Sequence, residues 1–213
     1  PTPDRSKDKR SIMHVARSFD INRPGTRPAK LRGGVIGGSI VEGEFAEGDE
    51  IIIGPGRKIE NGNKATWEPI EAVVSSMQGG GLNLKSMHAG GLCGMATFLD
   101  PSITTSDNLS GQVVARKGDL PEVRSKVTIN LNLMSHMVAG DGEAPEKIHP
   151  LRNNEMLMLN VATATSVGVT RNAEKTRTEL ELRLPICADK GQRISLSRRI
   201  GSRWRLIGYG TIE

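Results

Sequence analysis

Strict alternation of apolar and polar residues marks two stretches of this chain. In one, Val127, Ile129, Leu131 and Leu133 are separated by Thr128, Asn130 and Asn132; in the other, Leu180, Leu182 and Leu184 are separated by Glu181 and Arg183. A period of two places one side of a strand in a core and the other in water. The β-branched run Ile51, Ile52, Ile53 stops at Gly54, Pro55 and Gly56, and Asn61-Gly62 is a hairpin signal. Further punctuation falls at Glu47-Gly48-Asp49, Gly79-Gly80-Gly81, Gly90-Gly91, Lys117-Gly118-Asp119 and Lys190-Gly191. Short strands with turns at this spacing predict barrels or sandwiches. No segment carries a helical stripe of about ten residues, so the chain reads as all-β. The breakers at residues 116–121 divide it into two units, residues 11–118 and 119–213. Residues 1–10 are polar and charged and read as a linker from a further N-terminal domain.

The chain has 213 residues, enough for two small barrels, and is 36% hydrophobic and 25% charged. That composition excludes disorder, and no apolar run approaches the roughly 18 residues of a membrane span. The net charge of +5 is unevenly spread. Residues 1–32 carry nine bases and three acids, and residues 191–213 carry five arginines and one acid, leaving the middle acidic. Basic clusters favour a phosphate-bearing partner or form solvated faces, and charge alone does not separate the two. Cys93 and Cys187 sit in apolar stretches and read as two buried thiols in a reducing cytosol. The four histidines lack metal-ligand spacing, so no metal site is expected. There is no G-x-x-x-x-G-K-[ST] and no Ser/His/Asp set, and the paired acids Glu42/Glu44 and Glu179/Glu181 alternate with apolar residues. No catalytic residue and no cofactor are assigned to this chain.

Three stretches carry candidate chemistry. Residues 31–44 hold Gly33, Gly34, Gly37, Gly38 and Gly43, and residues 88–95 hold Gly90, Gly91 and Gly94. Glycine weakens a strand unless a ligand or another backbone must come close. Two such strands side by side predict a slot for a planar ring; the other reading is a set of bulges that curve a barrel. In the third stretch Arg198, Arg199, Arg203 and Arg205 are interleaved with Trp204 and Tyr209. Arginine forks suit phosphates and the rings suit bases, or the arginines pair with acids and Trp204 packs as core.

These stretches resemble a known family. Ala16-Arg-Ser-Phe-Asp-Ile-Asn-Arg-Pro-Gly-Thr26, Gly33-Gly-Val-Ile-Gly-Gly-Ser-Ile-Val-Glu-Gly43, Ala89-Gly-Gly-Leu92, Leu99-Asp-Pro101 and Ser197-Arg-Arg-Ile-Gly-Ser-Arg-Trp-Arg-Leu-Ile-Gly-Tyr-Gly210 are similar to the two C-terminal β-barrels of the gamma subunit of archaeal and eukaryotic translation initiation factor 2. The resemblance implies two consecutive antiparallel barrels of the elongation-factor-Tu domain 2 and domain 3 type. It also implies a cytoplasmic protein whose GTP and Mg²⁺ sit in a GTPase domain outside this chain. In that family the GTP-bound subunit carries methionylated initiator tRNA to the small ribosomal subunit. The tRNA 3′ end is then expected in a slot lined by Gly34, Val35 and Ile36 on one side and by Gly90, Gly91 and Leu92 on the other, with Arg17 and Arg32 near the terminal phosphates. The loop starting at Asp20 is longer than its counterpart in elongation factor Tu. Asn22, Arg23, Pro24, Gly25, Thr26 and Arg27 are therefore expected to touch the alpha subunit, while the beta subunit uses the GTPase domain. Arg198, Arg199, Arg203 and Arg205 are expected to divide between RNA or ribosome contact and structural pairs. The alternatives are the same barrels from another translational GTPase, against which the loop at residues 20–28 argues, and a scaffold with no RNA contact.

Overall fold

The structure is a computed structural model and describes residues 10–62, 64–137 and 146–213. The expected linker therefore lies outside the described residues, apart from Arg10. The chain forms two compact units that meet between Pro121 and Glu122.

The first unit contains β1 (Ile12–Phe19), β2 (Val35–Glu42), β3 (Glu44–Ala46), β4 (Glu50–Asn61), β5 (Lys64–Gly79), β6 (Leu82–Leu84), β7 (Ser86–His88), β8 (Gly91–Thr97), the one-turn helix α1 (Pro101–Thr104) and β9 (Val113–Arg116). The strands run in the order β4-β9-β1-β2-β8-β5, and pairing of β4 with β5 closes the barrel. β6 adds to the free side of β5, and β3 pairs with β7. Inward positions recur every second residue: Met13 and Val15, Ile51 and Ile53, Cys93 and Met95 are buried. They pack with Ile36, Ile40, Phe45, Val74, Met77 and Val114. Complete burial of each aliphatic side chain contributes roughly 1.5–3 kcal/mol.

The second unit is a closed barrel, β10-β13-β12-β11-β14-β15 in spatial order. Its strands are β10 (Val123–Leu133), β11 (Met156–Val161), β12 (Ala164–Ala173), β13 (Arg177–Cys187), β14 (Arg193–Ile200) and β15 (Arg203–Ile212). Val127, Ile129 and Leu131 on β10 and Leu180 and Leu182 on β13 fill it, as their alternation predicts. The alternation fails at Leu184, which is half exposed. There β13 bulges: Lys126 pairs with Glu181 but Arg124 pairs with Ile186, so residues 182–185 of β13 stand opposite the single residue Ser125 of β10. All strand pairings in both barrels are antiparallel, and the only α-helix among the described residues has four residues.

Candidate nucleic-acid interface

The outer face of the first barrel has a row with almost no side chains. Arg17 on β1 pairs with Gly37 on β2, Gly37 pairs with Gly94 on β8, and Gly94 pairs with Gln78 on β5. Ile36 and Met95, the neighbours of the two glycines in the ladder, point inward and are fully buried. Alternation therefore turns Gly37 and Gly94 outward. The result is a shallow trough of about 490 Å³ with Arg17 and Phe19 on one side, Leu92 on another and the Gly79–Gly81 turn at its end.

Two kinds of glycine are mixed in this region. A Cβ on Gly33 would lie 1.9 Å from the Thr97 carbonyl oxygen, one on Gly34 2.2 Å from Thr104 Oγ1, and one on Gly38 2.0 Å from the His14 carbonyl oxygen. These glycines exist because the barrel's own backbone and side chains press on them. Gly37 and Gly94 differ: the nearest atom to either Cβ would be 3.9 Å away, and Gly91 has nothing within 4 Å. The fold has room for side chains at these three positions.

This geometry redistributes the expected slot residues. Gly34 donates to the Leu99 carbonyl (3.0 Å), and its own carbonyl accepts from Thr97 N (3.0 Å) and Thr97 Oγ1 (2.8 Å). Thr104 fills the space beside it, Val35 is buried, and Ile36 lies in the core. Gly90, Gly91 and Leu92 lie at the opposite end of the same strand pair, since Val35 faces Ala96 and Ile40 faces Gly91. At ~3.3 Å per residue the two sets are about 16 Å apart. They do not surround one slot. Of the eight expected residues, Arg17 and Leu92 line the trough; Gly37, Gly94, Gln78 and Phe19 complete it. The glycine spacing was visible in the sequence, but which glycines face each other depends on the ladder register.

Arg17 is exposed, and its Nε donates to Asp107 Oδ1 at 2.8 Å. The same oxygen accepts the Ser18 N–H at 3.0 Å. These two donors hold the Asp107 carboxyl below its ordinary range, and Asp107 in turn raises Arg17. Arg32 lies elsewhere, in the loop between β1 and β2. Its N–H donates to Asn22 Oδ1 (2.7 Å) and its carbonyl accepts from Asn22 Nδ2 (2.8 Å), so one side-chain amide closes the loop like a ladder rung. Asp20 Oδ1 accepts the Asn22 N–H at 2.7 Å. At the tip, Thr26 N–H donates to the Arg23 carbonyl (3.1 Å) and Gly25 takes φ +80°. Pro at the second and Gly at the third position of Arg23-Pro24-Gly25-Thr26 suit a type II turn. Arg23, Arg27, Lys30 and Arg32 are exposed and have no ion pair among the described residues. Ile21 and Leu31 are exposed beside them.

On the second barrel the four arginines separate. Arg198 is mostly buried and bonds Glu155 through Nε at 2.5 Å, and its Nη1 donates to the His149 carbonyl at 3.0 Å. Arg205 is half-buried and has an interaction partner. Arg199 and Arg203 are exposed without an ion pair among the described residues. Trp204, opposite Arg199, is half-buried, and the Arg193 guanidinium lies 5.7 Å from the centre of the Tyr209 ring.

Cys93 and Cys187 are both buried, and desolvation pushes their thiols up to about 11 and about 12. Among the described residues there is no group of three or more His, Cys, Asp or Glu side chains placed to hold a metal, and no helix long and apolar enough to cross a membrane.

A family model described as "Initiation factor eIF2 gamma, C terminal" matches residues 125–212, nearly the whole second barrel. Along its full 213 residues the chain is 51% identical to translation initiation factor 2 subunit gamma of Methanocaldococcus jannaschii, covering 51% of that protein. It is 46% identical over 212 residues to the corresponding subunit of Methanothermobacter thermautotrophicus, covering 52% of it. It is also 46% identical over 213 residues to that of Natronomonas pharaonis, covering 51%. The chain spans about half the length of the curated relatives it matches. With identity running through both barrels and the family model seated on the second, the chain belongs to the gamma-subunit family of translation initiation factor 2.

Proposed function

We propose that this chain supplies the RNA-receiving barrel of a gamma subunit that carries methionylated initiator tRNA to the small ribosomal subunit. The unpaired 3′ end lies in the trough, with a base flat on the bare backbone of Gly37 and Gly94 and its edges against Phe19 and Leu92. The observation that supports this reading is that paired glycines stand, on an exposed face, where the fold has space for side chains. A base on such a surface contributes only ~1–3 kcal/mol. Affinity for the whole tRNA therefore comes largely from the rest of the factor. GTP and Mg²⁺ belong to that remainder, because this sequence has no phosphate-cradling loop for them and the chain by itself is not an enzyme.

The loop at residues 20–32 is the docking surface for the alpha subunit. It is rigid through Asn22, rich in unpaired cations and flanked by Ile21 and Leu31. The beta subunit binds outside this chain. On the second barrel, Arg199 and Arg203 face RNA of the ribosome, whereas Arg198 holds its own barrel together. The test of the trough is an amide NMR titration with a short single-stranded RNA. Shifts concentrated at Gly37, Gly94, Gln78 and Leu92 support the reading; shifts confined to the basic loop, or none at millimolar RNA, overturn it.

A further inference from the structure

We infer that Asp107 is a positioning residue for RNA, acting through Arg17 to present a guanidinium edge to a phosphodiester beside the trough. This rests on the RNA reading above. β1 has a register shift between Val15 and Arg17, so Ala16 and Arg17 are both exposed instead of alternating. A bulge of this kind re-aims a side chain. Residues 107–111 secure it along its length. Gly111 N–H donates to the Val15 carbonyl (2.9 Å), Ser110 Oγ to the Ala16 carbonyl (3.0 Å), and Leu109 N–H to Ser18 Oγ (3.0 Å). Asp107 completes the set by taking both Arg17 Nε and the Ser18 N–H on one oxygen.

The backbone that places this carboxylate is strained. Ser106 and Asp107 lie at φ 54° and 60°, successive left-handed residues, neither of them glycine. That conformation is disfavoured for such residues and persists where the surroundings impose it. The pair also leaves most of the arginine unused. A guanidinium has five N–H donors in a fixed fork, and Asp107 engages only the Nε one. The Nη edge has no hydrogen bond among the described residues, and Arg17 lines the trough opposite Gly37. An arginine fixed at Nε with its Nη edge open offers two parallel N–H groups to phosphate oxygens. An unfixed arginine would have to lose its rotamer freedom on binding.

A carboxylate close to a phosphate also repels it, which gives the test its sign. If Asp107 acts only as a nearby charge, Asp107→Ala and Asp107→Asn both tighten RNA binding. If Asp107 positions Arg17, Asp107→Ala weakens binding, while Asp107→Asn, which tolerates the left-handed backbone and keeps both acceptor bonds, binds at least as well as the parent. The probe is a short 3′-terminal single-stranded RNA, compared with one whose last linkage is a neutral methylphosphonate. Arg17→Ala is expected to lower affinity about tenfold and to reduce the log–log salt slope by ~0.7. Asp107→Ala is expected to lower it roughly threefold, with no further loss in the Arg17→Ala background and none on the methylphosphonate probe. In the free protein, the Arg17 Nε–H resonance should be protected from exchange in the parent and in Asp107→Asn, and unprotected in Asp107→Ala. Parental affinity in Asp107→Ala, or an equal loss in the Arg17→Ala background, overturns the positioning role while RNA binding itself stands. Absence of RNA binding by the parent overturns both.

Discussion

Gly37 on β2 stands opposite Gly94 on β8, and a Cβ on either would meet no atom nearer than 3.9 Å. Gly38, one residue along, would put its Cβ 2.0 Å from the His14 carbonyl oxygen. Adjacent positions of one strand thus carry glycine for different reasons, and substitution should separate them. Gly38→Ala is expected to destabilise the first barrel by about 1–3 kcal/mol, as overpacking does. Gly37→Val is expected to be neutral or to stabilise by up to about 1 kcal/mol, because valine suits an exposed strand position better than glycine. Urea unfolding of both variants measures the difference.

The second barrel's arginines should separate in the same experiment. The Arg198–Glu155 pair is 18% and 19% exposed, with carbonyl acceptors around the guanidinium. Arg198→Ala leaves Glu155 poorly solvated and should cost about 2–3 kcal/mol. Arg199→Ala and Arg203→Ala should stay within about 0.5 kcal/mol, as exposed substitutions do. If Arg199 and Arg203 face RNA, those two variants still weaken ribosome association.

Asn22→Ala removes the amide that spans the loop at residues 20–32. Its predicted signature is faster hydrogen exchange at the Arg32 amide with little change in global stability, since one or two exposed hydrogen bonds contribute only ~0.5–1.5 kcal/mol each. Replacing residues 23–27 by a short turn should abolish alpha-subunit binding. Undiminished affinity would remove the docking assignment.

Acid sensitivity should begin with His14. Burial lowers its pKa from the ordinary 6.5, more than Glu42 raises it. The unfolded chain then binds a proton that the folded barrel resists. Stability from this site is complete above pH ~6.5 and declines as pH falls through that value toward the folded pKa. The carboxylates of Asp107, Glu181 and Glu213 are held low by arginine partners and lose their contribution only in stronger acid. Melting temperature measured from pH 7 to pH 5 should therefore fall less in His14→Gln than in the parent.

Much of the fold was legible because the barrels obey a period of two. Val127, Ile129 and Leu131 point inward as their spacing requires, and Leu184 does not, because β13 bulges there against β10, a strand some sixty residues away whose register the local sequence does not show. The site was legible as composition but not as geometry. Glycine-rich strands drew attention to the right pair of elements, yet the ladder brings together Gly37 and Gly94, not Gly34 and Gly90. Asp107 gave no signal at all. Its role depends on a left-handed turn and on a partner distant in sequence, and neither follows a motif. Arg198 and Glu155 were likewise separated by a stretch that only the closed barrel folds back.

The most direct measurement is the affinity of Gly94→Val for a short 3′-terminal single-stranded RNA, taken alongside its melting temperature. The valine side chain fits the fold but occupies the floor of the trough. The account predicts an unchanged or higher melting temperature together with a loss of at least tenfold in affinity, the equivalent of about one stacked base. Parental affinity in a variant that melts like the parent would show that RNA does not use this surface.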